Sequence, residues 1–238
     1  MSWPAGPLLL QIIGTSGWRP FTTGALFLAL TALPLFAARD HTASDTGPPD
    51  GLHWLRLARA APTVMIAALI AGLVESAYVS LLPVFALLRG LDEQHSLLLV
   101  TVFLAGNVIL QLPIGRLGDR LGRQRVLRLC AVVCVIGPIL LSAVMGIAWL
   151  VWPLLLTWGG TMYGFYTQGI ALLGESYPAA ELADANTVFV VVYCAGGIVG
   201  PSLGGLAMDY WSPNGLLVFL SAAPLLLGAS LLRRERDV

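Results

Sequence analysis

The 238-residue chain is 57% hydrophobic and only 11% charged, with a mean hydropathy of +0.82 and a formal net charge of zero. Soluble domains carry about 25% charged residues, so water is excluded as the solvent for most of this surface. All 13 basic residues are arginine, which also excludes a lysine Schiff base or a phosphate-loop lysine.

A membrane-spanning helix needs about 20 mostly apolar residues. Seven segments qualify: 20–38, 62–87, 96–115, 125–145, 149–173, 184–208 and 213–232. They predict an all-α polytopic membrane protein, a bundle of seven full transmembrane helices plus a stub. The stub is 7–13, apolar but too short to span. It lacks the basic start and the small-residue cleavage site of a signal peptide, and it reads as the tail of a helix whose beginning is absent.

Residues 38–59 form the longest polar stretch. Its first part, His-Thr-Ala-Ser-Asp-Thr-Gly-Pro-Pro-Asp over 41–50, is turn-rich and acidic, hence a flexible linker. Its second part, 54–59, predicts an interfacial helix with Trp54 at the headgroups and Arg56 and Arg59 in water.

The 62–87 segment carries Glu75 near its centre. A carboxylate at membrane depth costs several kcal/mol unless it is paired, hydrated or protonated. Proton carriage or binding of a cationic solute is the functional reading. A neutral acid hydrogen-bonded across helices is the structural one. On the next segment Asn107 and Gln111 lie one turn apart and share a face. That segment ends in Gly115-Arg-Leu-Gly-Asp-Arg-Leu-Gly-Arg-Gln-Arg-Val-Leu127, a basic turn wedged between two apolar spans. These four arginines, with Arg128 just beyond them, cannot be buried in lipid, so the turn marks the water-exposed end of a helical hairpin.

Cys130, Cys134 and Cys194 fall within apolar segments. They suggest neither a disulfide framework nor a metal site, and they read as small hydrophobes. On 149–173, Thr157, Thr161, Gly164 and Gln168 form a stripe at helical spacing flanked by Tyr163 and Tyr166. Such a stripe either lines a solute path or packs against another helix, with Gln111 and Gln168 the better cavity candidates. Asn186 and Tyr193, two turns apart on 184–208, are weaker ones. Gly196, Gly200, Pro201, Gly204 and Gly205 on the same segment predict a kinked, closely packed helix.

Placing the arginine turn in the cytoplasm orients every loop. Eleven of the 13 arginines then lie on that side, including Arg233, Arg234 and Arg236, and only Arg19 and Arg89 on the other. The expected location is a bacterial plasma (inner) membrane, multi-pass, with a cytoplasmic C-terminus. His41, His53 and His95 sit in loops without companions at ligand spacing. No Ser/His/Asp grouping or phosphate-binding glycine loop is present, and the basic turn lacks the aromatic interleaving of a nucleic-acid surface. Neither an enzyme nor a cofactor, metal or nucleic-acid partner is expected. A looser internal echo, Gly6-Pro7 with Trp18 and Pro20 against Gly200-Pro201 with Trp211 and Pro213, is a pattern found in repeat-built transporters.

The motif Gly115-x-Leu117-x-Asp119-Arg120-x-Gly122-Arg123-x-x-Val126-Leu127 resembles the loop signature of the major facilitator superfamily (MFS). That signature lies between the second and third helices of each six-helix half. The chain departs from it at Gly118, usually Ala or Ser, and at Gln124, usually basic. Gly196-x-x-x-Gly200-Pro201-x-x-Gly204-Gly205 resembles the family's glycine–proline motif, expected on the fifth helix of drug/proton antiporters and found here on what would be the eleventh. Gly174-Glu175-Ser-Tyr-Pro178 resembles the acidic turn after the fourth helix of a half.

The resemblance covers essentially the whole chain and is nearest to bacterial permeases of unassigned substrate. It implies a remnant of the N-terminal half over 1–38 (the end of helix five and helix six), a cytoplasmic central linker over 39–61 and a C-terminal six-helix bundle over 62–238. Members have about twelve helices, so the first helices are missing. It implies a small-solute permease, to which Glu75 would add coupling to protons, with the lipid bilayer, the solute and the absent N-terminal half as partners. Asp119 and its arginines would latch the cytoplasmic side against a helix of the other half. The alternative is a non-transporting membrane half-protein: a scaffold, a partner or an inert remnant.

Overall fold

The computed structural model describes residues 51–236, and before them 13, 17–19, 21–26 and 29–30. The stub, most of the 20–38 span and the 41–50 linker therefore lie outside the described residues. From residue 51 onward the chain is seven helices: α1 (Gly51–Ala60), α2 (Pro62–Leu88), α3 (Glu93–Leu121), α4 (Arg123–Val144), α5 (Ala148–Ser176), α6 (Leu182–Trp211) and α7 (Asn214–Arg236). No strand occurs among the described residues. Four helices, α2, α3, α4 and α6, are long and apolar enough to cross a membrane. Helix α5 matches α3 in length at 29 residues, but Gly, Thr, Tyr and Gln dilute its apolar run. In α7 the described apolar part is Asn214–Leu225.

Local chemistry sets the helix ends. Asp92 caps α3, its carboxylate accepting the His95 backbone N–H at 2.7 Å, which satisfies one of the orphan donors of the first turn. Gly122 alone joins α3 to α4. Its φ of +90° is open to glycine and strained for other residues, so α4 starts one residue after α3 stops. Each of α2–α7 carries one internal proline: Pro83, Pro113, Pro138, Pro153, Pro201 and Pro224. Membrane helices tolerate this because neighbours re-satisfy the freed carbonyls. One turn past Pro153, the Thr157 hydroxyl donates back to the Pro153 carbonyl at 2.8 Å.

The helices pair mainly as α2 with α6 and α3 with α5, while α4 packs on α5 and α7. Tyr78, Phe103 and Trp158 fill the junction of α2, α3 and α5. Trp158 stands edge-on to both other rings, at 5.3 and 5.1 Å between centroids. Polar contacts identify which loops share an end. Arg123 reaches Glu175, and Arg56 reaches Glu181 at 2.8 Å, so α1, the α3–α4 turn and the α5–α6 turn lie together. Arg89 bonds Asn214, which brings the α2–α3 and α6–α7 turns together at the other end. This is the alternation that arginine counting predicts.

Helix α1 forms where an interfacial helix is expected, but it docks on the bundle. Leu57 is buried and the Tyr177 hydroxyl donates to its carbonyl. Trp54 is half-buried against the core, and His53 pairs with Asp184 at 3.3 Å. Arg56 is tied to a carboxylate rather than left to water alone.

Candidate functional site

Helices α2 and α6 build the site around Glu75. They come unusually close because glycines line their seam. A Cβ on Gly196 would run into the Leu69 carbonyl, and one on Gly200 into the Leu73 carbonyl. This backbone approach carries Tyr193 to the middle of α2. Glu75 is only 6% exposed, and the Tyr193 hydroxyl donates to its Oε2 at 2.6 Å. At that length the hydroxyl partners an acid that membrane depth would otherwise penalise. The pair opens on a cavity of about 440 Å³ lined also by Gly72, Ser76, Ser80 and Gly197. Carboxylate, phenol and hydroxyls in one pocket can exchange a proton or hold a cation.

Tyrosines extend the site inward. Tyr166 stands edge-on to Tyr193 with centroids 5.2 Å apart. The Tyr163 hydroxyl lies in the neighbourhood of the Glu75 carboxyl and is buried without a hydrogen-bond partner within range among the described residues. Asn107 is half-buried, and its Oδ1 likewise has no described partner. It lies one turn from Phe103, whose ring is 6.5 Å from Tyr163. Of the residues singled out from sequence, the structure thus brings Glu75, Tyr163 and Tyr193 together.

Two candidates fall elsewhere. Gln111 is exposed and donates to Thr167 at 3.1 Å, bridging α3 and α5. Gln168 is fully buried, and its amide donates to the Ile114 carbonyl at 3.1 Å, so it lines no open path. The stripe it belongs to packs against α3 and α4 over 161–168, while Thr157 is exposed. Thr161 lies 3.8 Å from Cys134, and Gly164 lets Cys130 approach. A polar stripe at helical spacing looks the same in sequence whether it faces water or a neighbouring helix. Asn186 is exposed, about two turns from Tyr193 along α6.

The arginine turn forms its own constellation. Arg123 sits between two carboxylates, 2.9 Å from Asp119 on its own hairpin and 2.6 Å from Glu175 at the end of α5. Arg120 is exposed, and a side chain at Gly115 would meet open space. Gly118, where the motif usually has Ala or Ser, lies under Gln168: a Cβ there would approach the amide nitrogen to 2.8 Å. The departure from the motif and the buried glutamine are one feature, which the sequence showed only as two separate oddities. In the glycine–proline motif Gly196, Gly200 and Gly204 are buried in contacts, whereas Gly205 faces open space. Among the described residues no group of three or more metal-ligating side chains occurs.

The comparisons with known proteins agree with this architecture. The model of the Major Facilitator Superfamily matches residues 1–165 and 90–238. An uncharacterized MFS-type transporter of Yersinia pestis (strain Pestoides F) is 26% identical over 230 residues, covering 96% of this chain and 59% of its own length. The uncharacterized MFS-type transporter YcaD of Escherichia coli O17:K52:H18 is 25% identical over the same extent, 96% of this chain and 59% of its own. YcaD of Escherichia fergusonii is 26% identical over 168 residues, 71% of this chain and 43% of its own. No solved structure matches. The chain spans about 59% of the length of the first of these relatives, and it belongs to the Major Facilitator Superfamily.

Proposed function

We propose that this chain is part of a secondary active transporter that moves a small solute across a bacterial plasma membrane, with Glu75 as the proton-carrying or cation-binding group. The observation that carries the reading is the Glu75–Tyr193 pair, an acid 6% exposed in a spanning helix and bonded at 2.6 Å beside a cavity of about 440 Å³. An intramembrane acid is expensive, and such residues mark ion and substrate pathways. In the proposed cycle Glu75 takes a proton from one side, and Tyr193 holds the carboxylate after the proton leaves. The two helical halves rock around the site. The bilayer, the solute, protons and an N-terminal half are its partners. The arginine-rich loops and the C-terminus face the cytoplasm. Asp119, Arg123 and Glu175 form this half's part of the cytoplasmic latch, with Asp119 facing a helix N-terminus of the other half. Residues 1–38 belong to the N-terminal half, 39–61 to the connector and 62–238 to the C-terminal bundle.

The test is transport in proteoliposomes by the intact-length protein, against a solute panel, with and without an uncoupler. Glu75→Gln should abolish the dependence of flux on the pH gradient, while Tyr193→Phe should weaken it. Flux that keeps its full pH dependence in Glu75→Gln removes Glu75 from the mechanism.

A further inference from the structure

Two polar atoms near the acid site are buried without a hydrogen-bond partner among the described residues, the Tyr163 hydroxyl and Asn107 Oδ1. Such orphans are few in native proteins, and each asks for a physical reason. Helix register sets the two residues side by side. Helices α3 and α5 run the same way, since Asp119 near the end of one and Glu175 near the end of the other both hold Arg123. Gln111 of α3 bonds Thr167 of α5 at 3.1 Å. Asn107 and Tyr163 stand one turn earlier on their helices, on the same flank of the pair. The Phe103 ring, a turn before Asn107, lies 6.5 Å from that of Tyr163. Tyr163 also neighbours Glu75, although it does not line the cavity that Tyr193 lines.

We infer that Tyr163 and Asn107 form a second seat for Glu75, taken when the acid is protonated. An ionised carboxylate only accepts, and it takes the Tyr193 hydroxyl at 2.6 Å. A protonated one gains an O–H donor, while a phenol can accept one hydrogen bond and donate another. In the second seat the Glu75 O–H donates to the Tyr163 oxygen, and the Tyr163 hydroxyl donates to Asn107 Oδ1. Both orphans are then satisfied. The proton enters and leaves at Glu75 alone, and both phenols keep theirs. Tyr163 and Asn107 are thus positioning residues. The titratable groups facing Glu75 are Tyr193 and Cys194 from α6 and Tyr163 from α5, with the neutral Asn107 of α3 beyond them. None of these is an arginine or a second acid, so the switch turns on hydrogen bonding. The proton then decides which neighbour holds α2: α6 without it, α5 and α3 with it. This rests on the proton-carrying reading of Glu75.

Infrared difference spectra of the full chain in detergent, taken between alkaline and acidic pH, read the carbonyl stretch of each carboxyl that gains a proton. The band that Glu75→Gln removes belongs to this acid. In Tyr163→Phe it should move up to the position of a carboxyl that donates no hydrogen bond, and Asn107→Leu should move it part of the way. Tyr193→Phe should leave it in place. Tyr163→Phe deletes a hydroxyl that has no partner in the ionised state, so Tm should hold at alkaline pH and fall by about 2–4 °C at acidic pH. A Glu75 band that Tyr163→Phe leaves unmoved overturns the inference, as does one that Tyr193→Phe moves instead, which would keep the protonated acid on α6. A spectrum from which Glu75→Gln removes no band overturns the proton-carrying reading and the inference with it.

Discussion

Two glycines of one motif should respond to alanine with opposite signs. At Gly196 an added Cβ meets the Leu69 carbonyl and stands 2.9 Å from the Leu73 nitrogen. Both are backbone atoms, so neither rotates away and α2 and α6 must separate. Overpacking costs about 1–3 kcal/mol, and the fixed backbone puts this site near the top of that range. Removing a helical glycine returns about 1 kcal/mol of propensity. The net is a loss of about 2 kcal/mol, or roughly 4–8 °C in Tm for a chain of this size. At Gly205 the Cβ meets nothing within 4 Å, so only the propensity gain of about 1 kcal/mol remains and Tm should rise by about 2–4 °C. Unfolding is followed in detergent by labelling of the buried thiols Cys130 and Cys134, with the exposed Cys194 replaced by serine. If Gly196→Ala and Gly205→Ala shift Tm in the same direction, the close α2–α6 approach is refuted.

Other predictions follow from single contacts. Gly118→Ala should displace the Gln168 amide from the Ile114 carbonyl, a penalty of about 0.5–1.5 kcal/mol that the propensity gain of about 1 kcal/mol largely offsets in Tm. Adding Gln168→Ala should cancel most of that penalty, read as a coupling in a double-mutant cycle of thermal unfolding. Arg123→Gln breaks pairs whose carboxylates are exposed. Such pairs contribute about 0–1 kcal/mol, so Tm should barely move, while flux through the intact-length protein should fall if the latch acts as proposed. The Asp92 carboxyl is held below its usual value, chiefly by the His95 backbone N–H and then by the His95 side chain. A depressed folded pKa stabilises above the unfolded value of about 3.9 and loses that contribution as pH falls through the folded one. Protection of the His95 and Ser96 amides against exchange should drop below about pH 4, and Asp92→Asn should remove that acid dependence.

The spans were legible because lipid imposes a length of apolar sequence on each helix, and 62–87 became Pro62–Leu88 almost unchanged. The ends were less so. The 96–115 span continues to Leu121, because hydropathy stops where lipid stops while the helix runs on into water until Gly122. Glu75 stood out as a lone acid in an apolar run. Its partner did not, since Tyr193 lies 118 residues away in the chain and no local period encodes a contact between helices. Gln168 misled for a related reason. Periodicity reports which residues share a face, not what that face meets. Arg56 shows its charge in the sequence, but its carboxylate partner Glu181 is visible only in the docking of α1.

The acid site and the packing motif belong to the same seam. Gly196 lies three residues after Tyr193, under one turn of α6, and a Cβ on Gly72 would strike the Tyr193 carbonyl. Glu75 is three residues from Gly72 in turn. The 2.6 Å bond between Tyr193 and Glu75 is therefore set by how closely two backbones approach, not by side-chain reach alone. Widening the seam by an ångström would take that bond beyond ordinary hydrogen-bond length and leave the carboxylate without the phenol. A motion within this bundle that opens α6 against α2 would do the same thing reversibly. Helix separation and the stability of the ionised acid are thus one variable. Gly72→Ala should then alter the pH dependence of flux as Tyr193→Phe does, although it removes no polar atom. Normal coupling in Gly72→Ala, with Tyr193→Phe impaired, would show that the phenol acts independently of the seam.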